Sequence, residues 1–448
     1  MKFFWRILYH SYRLVSWGRY WAGRRFTQAG VGLLIAVVVA AMMGPDTENN
    51  VAYQAFALLV SFLLVSIAFT WTFRAHFSAH RLLPRFGTVG TPLSYRISVR
   101  NLTRRTQSGL TLLEDIADPR PSFDEWQRTR AAEERTIRSF RIGQRPKKAS
   151  FNPAFLKPAP IPALPPNREV EVRGELMPLR RGILRFDGVT IARPDPLGLF
   201  RAFSRVRSPQ TTLVLPKRYP LPPISLPGSM RYQAGGVALA SHVGQSEEFI
   251  ALRDYRYGDP VRHIHWRSWA KIGRPVVREF EDEFFVRHAL VLDTFTDYPR
   301  SEIFEEAVSV AASFACSVQT QESLLDLLFV GAQSYCFTAG RGLGSSDQML
   351  EILAAVQPSS EKGFEDLEHL VLNHVKSVSG CVCVFLSWDE TRKKFIEKLQ
   401  ALGVPILTLV IKAPGETGRI GETSDGTGGD QFLVLEVGKI QQDLAKLK

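Results

Sequence analysis

The sequence predicts a multidomain fold: a two-helix transmembrane hairpin, a β-sandwich middle domain and a C-terminal doubly wound α/β domain. Three observations predict it. Two long uncharged apolar runs follow a basic leader; beyond residue 80 the pattern switches to alternation of apolar and polar positions; and from residue 288 short apolar bursts alternate with helical periodicity. At 448 residues the chain is also too long for one compact core.

The apolar runs are residues 26–45 and 51–73, twenty and twenty-three positions without a charge. At ~1.5 Å of rise per residue each crosses a hydrocarbon layer of ~30 Å as a helix. The connection, residues 46–50, is short and acidic, so the helices form a tight hairpin. Residues 1–30 hold Lys2, Arg6, Arg13, Arg19, Arg24 and Arg25 and no acid, and residues 74–105 hold seven arginines and no acid. Basic flanks on both sides place the amino terminus and everything after residue 73 in the cytoplasm. A signal peptide would not be followed at once by a second span, and core helices would carry polar periodicity. The leader mixes Phe3, Phe4, Trp5, Tyr20 and Trp21 with its cations, which suits an interfacial helix on anionic lipid.

In the middle of the chain Tyr95, Ile97 and Val99, then Leu110 and Leu112, then Val170 and Val172, then Ile183, Leu184, Phe186, Val189 and Ile191, and finally Thr212 and Val214 mark short strands. The alternation stops over 118–167. There a charged, helix-tolerant stretch (123–141) precedes Pro153, Pro158, Pro160, Pro162, Pro165 and Pro166, which predict extended polyproline II in an unpacked insertion.

From residue 289 the expected order is a strand (289–293) ending on Asp293, a helix (301–318), strands 324–330 and 334–337, helices 347–356 and 364–378, a strand (382–386), a helix (391–402) and a strand (406–410). A glycine-rich tract, 414–430, reads as a loop before a last strand at 432–435. Cys381 and Cys383 alternate within a buried strand. Four cysteines with no C-x-x-C spacing argue against a disulfide framework or a structural metal.

The densest polar-aromatic detail lies in residues 252–271, where Arg253, Arg256, Arg262 and Arg267 alternate with Tyr255, Tyr257, Trp266 and Trp269 around a Gly258-Asp259-Pro260 turn. Guanidinium planes stack on rings and pair with carboxylates. Two readings follow: a structural clasp in which Asp254 and Asp259 neutralise arginines, or a surface that docks a ligand or partner.

The pattern Arg253-x-Tyr255-x-x-Gly258-Asp259-x-x-Arg262-x-Ile264-x-Trp266-x-x-x-Ala270 resembles the hallmark of the bacterial domain of unknown function 58 family. Leu179-Arg180-Arg181-Gly182 and Asp195-Pro196-Leu197-Gly198-Leu199-Phe200 are similar to the family's upstream segment, so the resemblance covers roughly residues 80–448. The family often has arginine where this chain has Lys271. The resemblance implies a signature set of Arg253, Tyr255, Gly258, Asp259, Arg262, His265, Trp266 and Ala270, and a von Willebrand factor A-like domain at 288–448. Such domains place a metal site on Asp-x-Ser-x-Ser; here the run is Asp293-Thr294-Phe295-Thr296-Asp297, with Phe295 and Asp297 in the serine positions. Phenylalanine supplies no oxygen, so Asp293, Thr294, Thr296 and Asp389 are the donors a divalent cation would have to use, and a degenerate scaffold without cofactor is the expectation.

His263 and His265 would share a face if they lay on a strand, but no third ligand follows at zinc spacing. No G-x-S-x-G occurs, and Gly340-Arg-Gly-Leu-Gly344 lacks the Lys-Ser/Thr of a phosphate loop. The expected organisation is leader and hairpin (1–80), sandwich (81–223), signature segment (224–287) and α/β domain (288–448). The expected function is a non-enzymatic scaffold or adaptor of the bacterial inner membrane, both termini cytoplasmic, held in lipid by two helices and binding protein partners. The resemblance adds a MoxR-type AAA+ ATPase as a partner in protein assembly or maturation. The alternative is a metal-dependent hydrolase at the α/β domain. Nucleic acid is not an expected partner despite the net charge of +12, because two membrane spans separate the basic regions.

Overall fold

A computed structural model describes the chain except residues 1, 44–49, 74, 139–150, 223–230, 233–248, 260, 281–283, 299–300, 318–322, 341–343, 361, 415–430 and 448. The described residues form two compact units, one reaching Leu215 and the other starting at Pro216.

The first unit opens with three helices: α1 (Lys2–Arg25), α2 (Gln28–Met43) and α3 (Asn50–Thr70). Within α3, Tyr53–Thr70 is 18 residues of mean hydropathy 1.9 and only 6% buried, long and apolar enough to cross a membrane. α2 is apolar throughout but described over 16 residues, about 24 Å. Most of the acidic connection, 46–49, lies outside the described residues.

Among the described residues, nine strands and one helix follow: β1 (Phe77–Leu82), β2 (Phe86–Thr88), β3 (Leu93–Asn101), β4 (Leu110–Ile116), α4 (Phe123–Arg138), β5 (Ala154–Lys157), β6 (Ala159–Ile161), β7 (Glu169–Pro178), β8 (Gly182–Pro194) and β9 (Arg201–Leu215). They form two sheets, β1-β3-β7-β5 and β2-β9-β8-β4-β6. Ile97, Val99 and Val172 of the first share one apolar core with Leu112, Val189 and Ile191 of the second. That core contains a buried ion pair. Arg81, 1% exposed, sends Nε to Glu114 Oε1 at 3.2 Å and Nη2 to the Gly188 carbonyl at 3.0 Å, while Tyr95 donates to Glu114 at 3.0 Å. Burial pushes the Glu114 carboxyl up, and these hydrogen bonds oppose the rise.

The proline tract differs from expectation. It is extended but paired: β5 lies along the edge of the four-stranded sheet and β6 along that of the five-stranded one. Ala159, Ile161 and Leu164 are buried while Pro158, Pro160 and Pro162 face outward. Edge strands tolerate a residue without an N–H, so proline marks these strands as edges rather than as unpacked chain.

Asp195 ties the apolar helices to this unit. It follows β8 and accepts from the N–H groups of Leu197 (3.0 Å), Leu199 (2.7 Å) and Phe200 (2.6 Å), closing a tight loop with Gly198 at φ 68°. Its Oδ2 also accepts from Ser66 of α3 at 2.8 Å. The same loop receives α2: Thr27 N–H bonds the Leu199 carbonyl at 3.1 Å, and a Cβ added to Gly30 would stand 2.0 Å from that oxygen. Asp195→Ala strips four donors of their acceptor and should lower stability by about 2–4 kcal/mol, read as a melting shift of the detergent-purified protein. Asp195→Asn, which keeps one acceptor oxygen, should lose less.

The second unit contains β10 (Arg231–Tyr232), β11 (Phe249–Asp254), α5 (Trp266–Ile272), β12 (Val276–Phe280), β13 (Phe284–Leu292), α6 (Glu302–Ser317), β14 (Ser323–Val330), β15 (Ser334–Ala339), α7 (Ser346–Ala355), α8 (Phe364–His374), β16 (Gly380–Phe385), α9 (Glu390–Ala401), β17 (Ile406–Lys412), β18 (Gln431–Glu436) and α10 (Ile440–Leu444). The main sheet runs β15-β14-β13-β16-β17-β18, with β15 antiparallel, its other neighbours parallel, and β10 paired to the start of β13. Buried on both faces, β13, β14, β16 and β17 read as continuous apolar runs; β14, β16 and β17 fall within about two residues of their expected places, whereas β13 starts at Phe284, ahead of the expected residue 289. Strand order reverses between β13 and β16, which puts the topological switch point at their carboxyl ends. β11 and β12 form a separate antiparallel ribbon that encloses α5. The glycine-rich tract lies almost wholly outside the described residues.

Candidate functional site

The signature residues build the tip of the ribbon. Arg253, on β11, reaches across the turn with both terminal nitrogens, each 2.7 Å from one oxygen of Asp259, a bidentate fork. Asp259 also accepts from the Arg256 N–H at 2.8 Å, and Gly258 supplies the φ of 105° that the turn needs. These donors hold the Asp259 carboxyl down at about 2. Tyr255 N–H bonds the Pro275 carbonyl and His265 N–H the Val276 carbonyl, stitching the insert to β12.

Val261–His263 form a single 3₁₀ turn, and His265 stands at the N-cap position of α5 without a side-chain cap bond, its Nδ1 lying 2.7 Å from Ser268 Oγ. This corrects the placement of His263 and His265 on one strand: they straddle a turn and a helix start, because Ile264 makes only an isolated bridge to Val277. The His263 side chain and Pro260 lie outside the described residues. α5 ends at Gly273 with φ 74° and buries none of its residues. Trp266 and Trp269, three residues apart, stack with centroids 5.2 Å apart. Trp266 is 60% exposed, Tyr257, Arg262 and Ala270 are exposed, and Val261 and Ile272 add exposed apolar area.

A second cluster sits at the switch point. Asp293, fully buried at the end of β13, accepts from the N–H groups of Phe295 (3.0 Å) and Leu386 (3.2 Å). Arg392 of α9 places both Nε and Nη2 2.7 Å from Asp293 Oδ2. Its Nη1 donates to Asp389, which caps α9 through the Arg392 N–H, and its guanidinium lies 4.9 Å over the Phe364 ring. Burial pushes the Asp293 carboxyl up; the guanidinium and N–H groups pull it back. Thr294 Oγ1 donates to the Val330 carbonyl, and Thr296 Oγ1 accepts from Tyr298 N–H at 3.2 Å.

Residues 251–412, from β11 through β17, match the family described as "Protein of unknown function DUF58". The chain carries a DUF58 domain. The uncharacterized protein YeaD of Bacillus subtilis (strain 168) is 28% identical over 209 residues, 45% of this chain and 50% of that protein. The chain thus spans about half the length of the curated relative it matches. Two solved structures are the CARDB domain of a Pyrococcus furiosus protein and a β-glucosidase from Listeria innocua in complex with glucose. The first has 11% identity and covers 30% of this chain and 94% of that one; the second has 14%, 30% and 16%. Both have a TM-score of 0.15, too low to carry an argument.

The DUF58 domain therefore brings Arg253 and Asp259 together and leaves Arg262, Trp266 and Ala270 on the surface. It does not gather Asp293, Thr294, Thr296 and Asp389 into a cation site. A guanidinium fills the place beside Asp293, and both threonine hydroxyls are committed to backbone groups, so the donor set does not fit a divalent ion. Arg392 was the residue that sequence reasoning missed. Its signal was a cation in the first turn of a helix, where the dipole disfavours positive charge unless a carboxylate compensates.

Arg392→Met leaves Asp293 buried without a counter-charge and should destabilise the protein by about 3–5 kcal/mol, whereas adding Asp293→Asn should recover part of that loss in thermal melts. Magnesium, manganese or zinc should not shift the melting temperature. At the ribbon, the folded Asp259 value lies below the unfolded ~3.9, so its contribution is present above about pH 4 and lost as pH falls through about 2. Carboxyl carbon shifts followed by NMR should titrate near 2, and Arg253→Met should return that midpoint toward the ordinary range.

Proposed function

We propose that the chain is a membrane-anchored, cytoplasm-facing scaffold whose signature ribbon binds a protein partner, with a MoxR-type AAA+ ATPase as the partner the resemblance implies. In this reading α2 and α3 form a two-helix transmembrane hairpin, α1 lies in the interface, the two sheets of the first unit are a β-sandwich spacer, and the second unit is a von Willebrand factor A-like module. The observation that carries the proposal is α5: a helix with no buried residue, bearing a stacked Trp266–Trp269 pair beside exposed Arg262. Trp and Arg dominate interface hot spots, and an exposed Trp266 stacked on the half-buried Trp269 is ordered before it binds. The clasp and docking readings then divide between residues, Arg253 and Asp259 fixing the turn and Arg262 and Trp266 offering the contact. The metal-hydrolase alternative lacks support, since Arg392 takes up the carboxylate that such chemistry would use.

Affinity purification from detergent-solubilised membranes tests the partner claim. Arg262→Ala and Trp266→Ala should leave melting within about 0.5 kcal/mol of wild type and abolish co-purification of the ATPase. Uniform destabilisation with unchanged recovery among the surviving protein would reduce the ribbon to an internal clasp. Topology is read independently: a reporter active only in the periplasm should work when inserted at Glu48 and fail when fused after Lys448.

A further inference from the structure

Helix α1 is held near both ends. Near its start Tyr9 donates to the Pro121 carbonyl at 2.9 Å and packs on Phe123 and Trp126 at 5.5 and 5.7 Å. At its end Arg24 pairs with Asp115 at 2.5 Å, Arg25 donates to the Arg201 carbonyl at 3.1 Å, and Phe26 meets Phe200 at 4.9 Å. Between these anchors the helix borders a cavity of about 990 Å³, lined by residues of α1 that include Tyr12, Ser16, Arg19 and Arg24 and by residues of α4, the strands and the segments between them.

The lining has two characters. Trp126, Phe151, Ile116 and Leu156 give it an apolar, aromatic side. Six lining residues are cations, including Arg19, Arg24, Arg120 and Arg130, against three carboxylates; of these Glu114 is held by Arg81 and Asp118 by Arg120. Arg24 keeps Nη2 buried with no hydrogen-bond partner among the described residues. A buried guanidinium N–H without an acceptor is costly unless a ligand oxygen completes it. The size suits a small amphiphile, at the upper end of the ~300–1,000 Å³ typical of ligand sites. Only Phe26 and Thr27 separate α1 from the apolar α2, and Phe3, Phe4, Leu14 and Trp17 are exposed along α1.

We propose that this cavity binds one anionic phospholipid drawn from the bilayer, its phosphate on Arg24, Arg19 and Arg130 and its chain against Trp126 and Phe151. The proposal rests on the reading of α2 and α3 as membrane helices. An anion meets the unpaired guanidinium donor and the positive lining; an acyl chain meets the aromatic side; and a cavity next to a lipid-immersed helix fills from the membrane.

The test is native mass spectrometry of the full chain released from detergent, after titration with phosphatidylglycerol, phosphatidylcholine or glycerol 3-phosphate. One tightly held phosphatidylglycerol per chain is expected. Ser16→Trp, which fills the cavity, and the Arg19→Glu/Arg130→Glu double variant should weaken it at least about tenfold, or 1.4 kcal/mol, with phosphatidylcholine retained no better than by the variants. Folding of each variant is checked by its melt; should Ser16→Trp fail to fold, the exposed arginine pair carries the comparison alone. Equal retention by wild type and variants would mean only annular lipid and would overturn the proposal. Saturation by glycerol 3-phosphate without a chain would also overturn it, in favour of a soluble phosphate ester. Extraction of the protein by alkaline carbonate would instead count against the membrane reading itself.

Discussion

The charge on Asp293 has to be met inside the protein, and Arg392 meets it. A carboxylate at the end of the central strand of an open parallel sheet stands where such folds bind ligands, yet this one is buried completely and faces a guanidinium. The pair holds α9 to the end of β13, and Asp389 extends it by capping the same helix. The opposite end of the sheet repeats the device with Arg287 on Asp326 at 2.6 Å. Both ends of the sheet's centre therefore carry an arginine–aspartate pair, and the one at the switch point ties α9 to β13.

The polar chemistry open to solvent lies instead on the β11–β12 ribbon. One ion pair there is committed to geometry, because the Arg253 fork and the Arg256 N–H use both oxygens of Asp259. A turn fixed in this way can hold a short helix with no core of its own. That combination joins a turn fixed by an ion pair to a helix that buries none of its residues, with Trp266 open to solvent.

In the first unit the same economy of buried charge recurs. Arg81 and Glu114 sit within the core shared by the two sheets, and Asp195 gathers three N–H groups of its own loop and a serine of an apolar helix. The Asp195 loop gives the Asp-Pro-Leu-Gly-Leu-Phe run a physical role, the seat of α2 and α3, with Gly30 leaving room for the Leu199 carbonyl.

What the sequence determined by itself was whatever depends on neighbours along the chain. Apolar runs of β13, β14, β16 and β17, the helices between them and the Gly258 turn are local patterns, and each overlaps the place where periodicity and turn chemistry put it. The polar residues of the signature could likewise be picked out, but that Arg253 is the side chain reaching across the turn to Asp259 is set by the fold. The tertiary structure alone decided the rest. Arg392 lies 99 residues from Asp293 and Ser66 129 from Asp195, so no window of sequence shows that they meet. The prolines of 153–166 carry no N–H to announce a ladder, and only the neighbouring strands reveal them as sheet edges. Periodicity records which face of an element is apolar; which charge stands opposite it is set when distant elements pack.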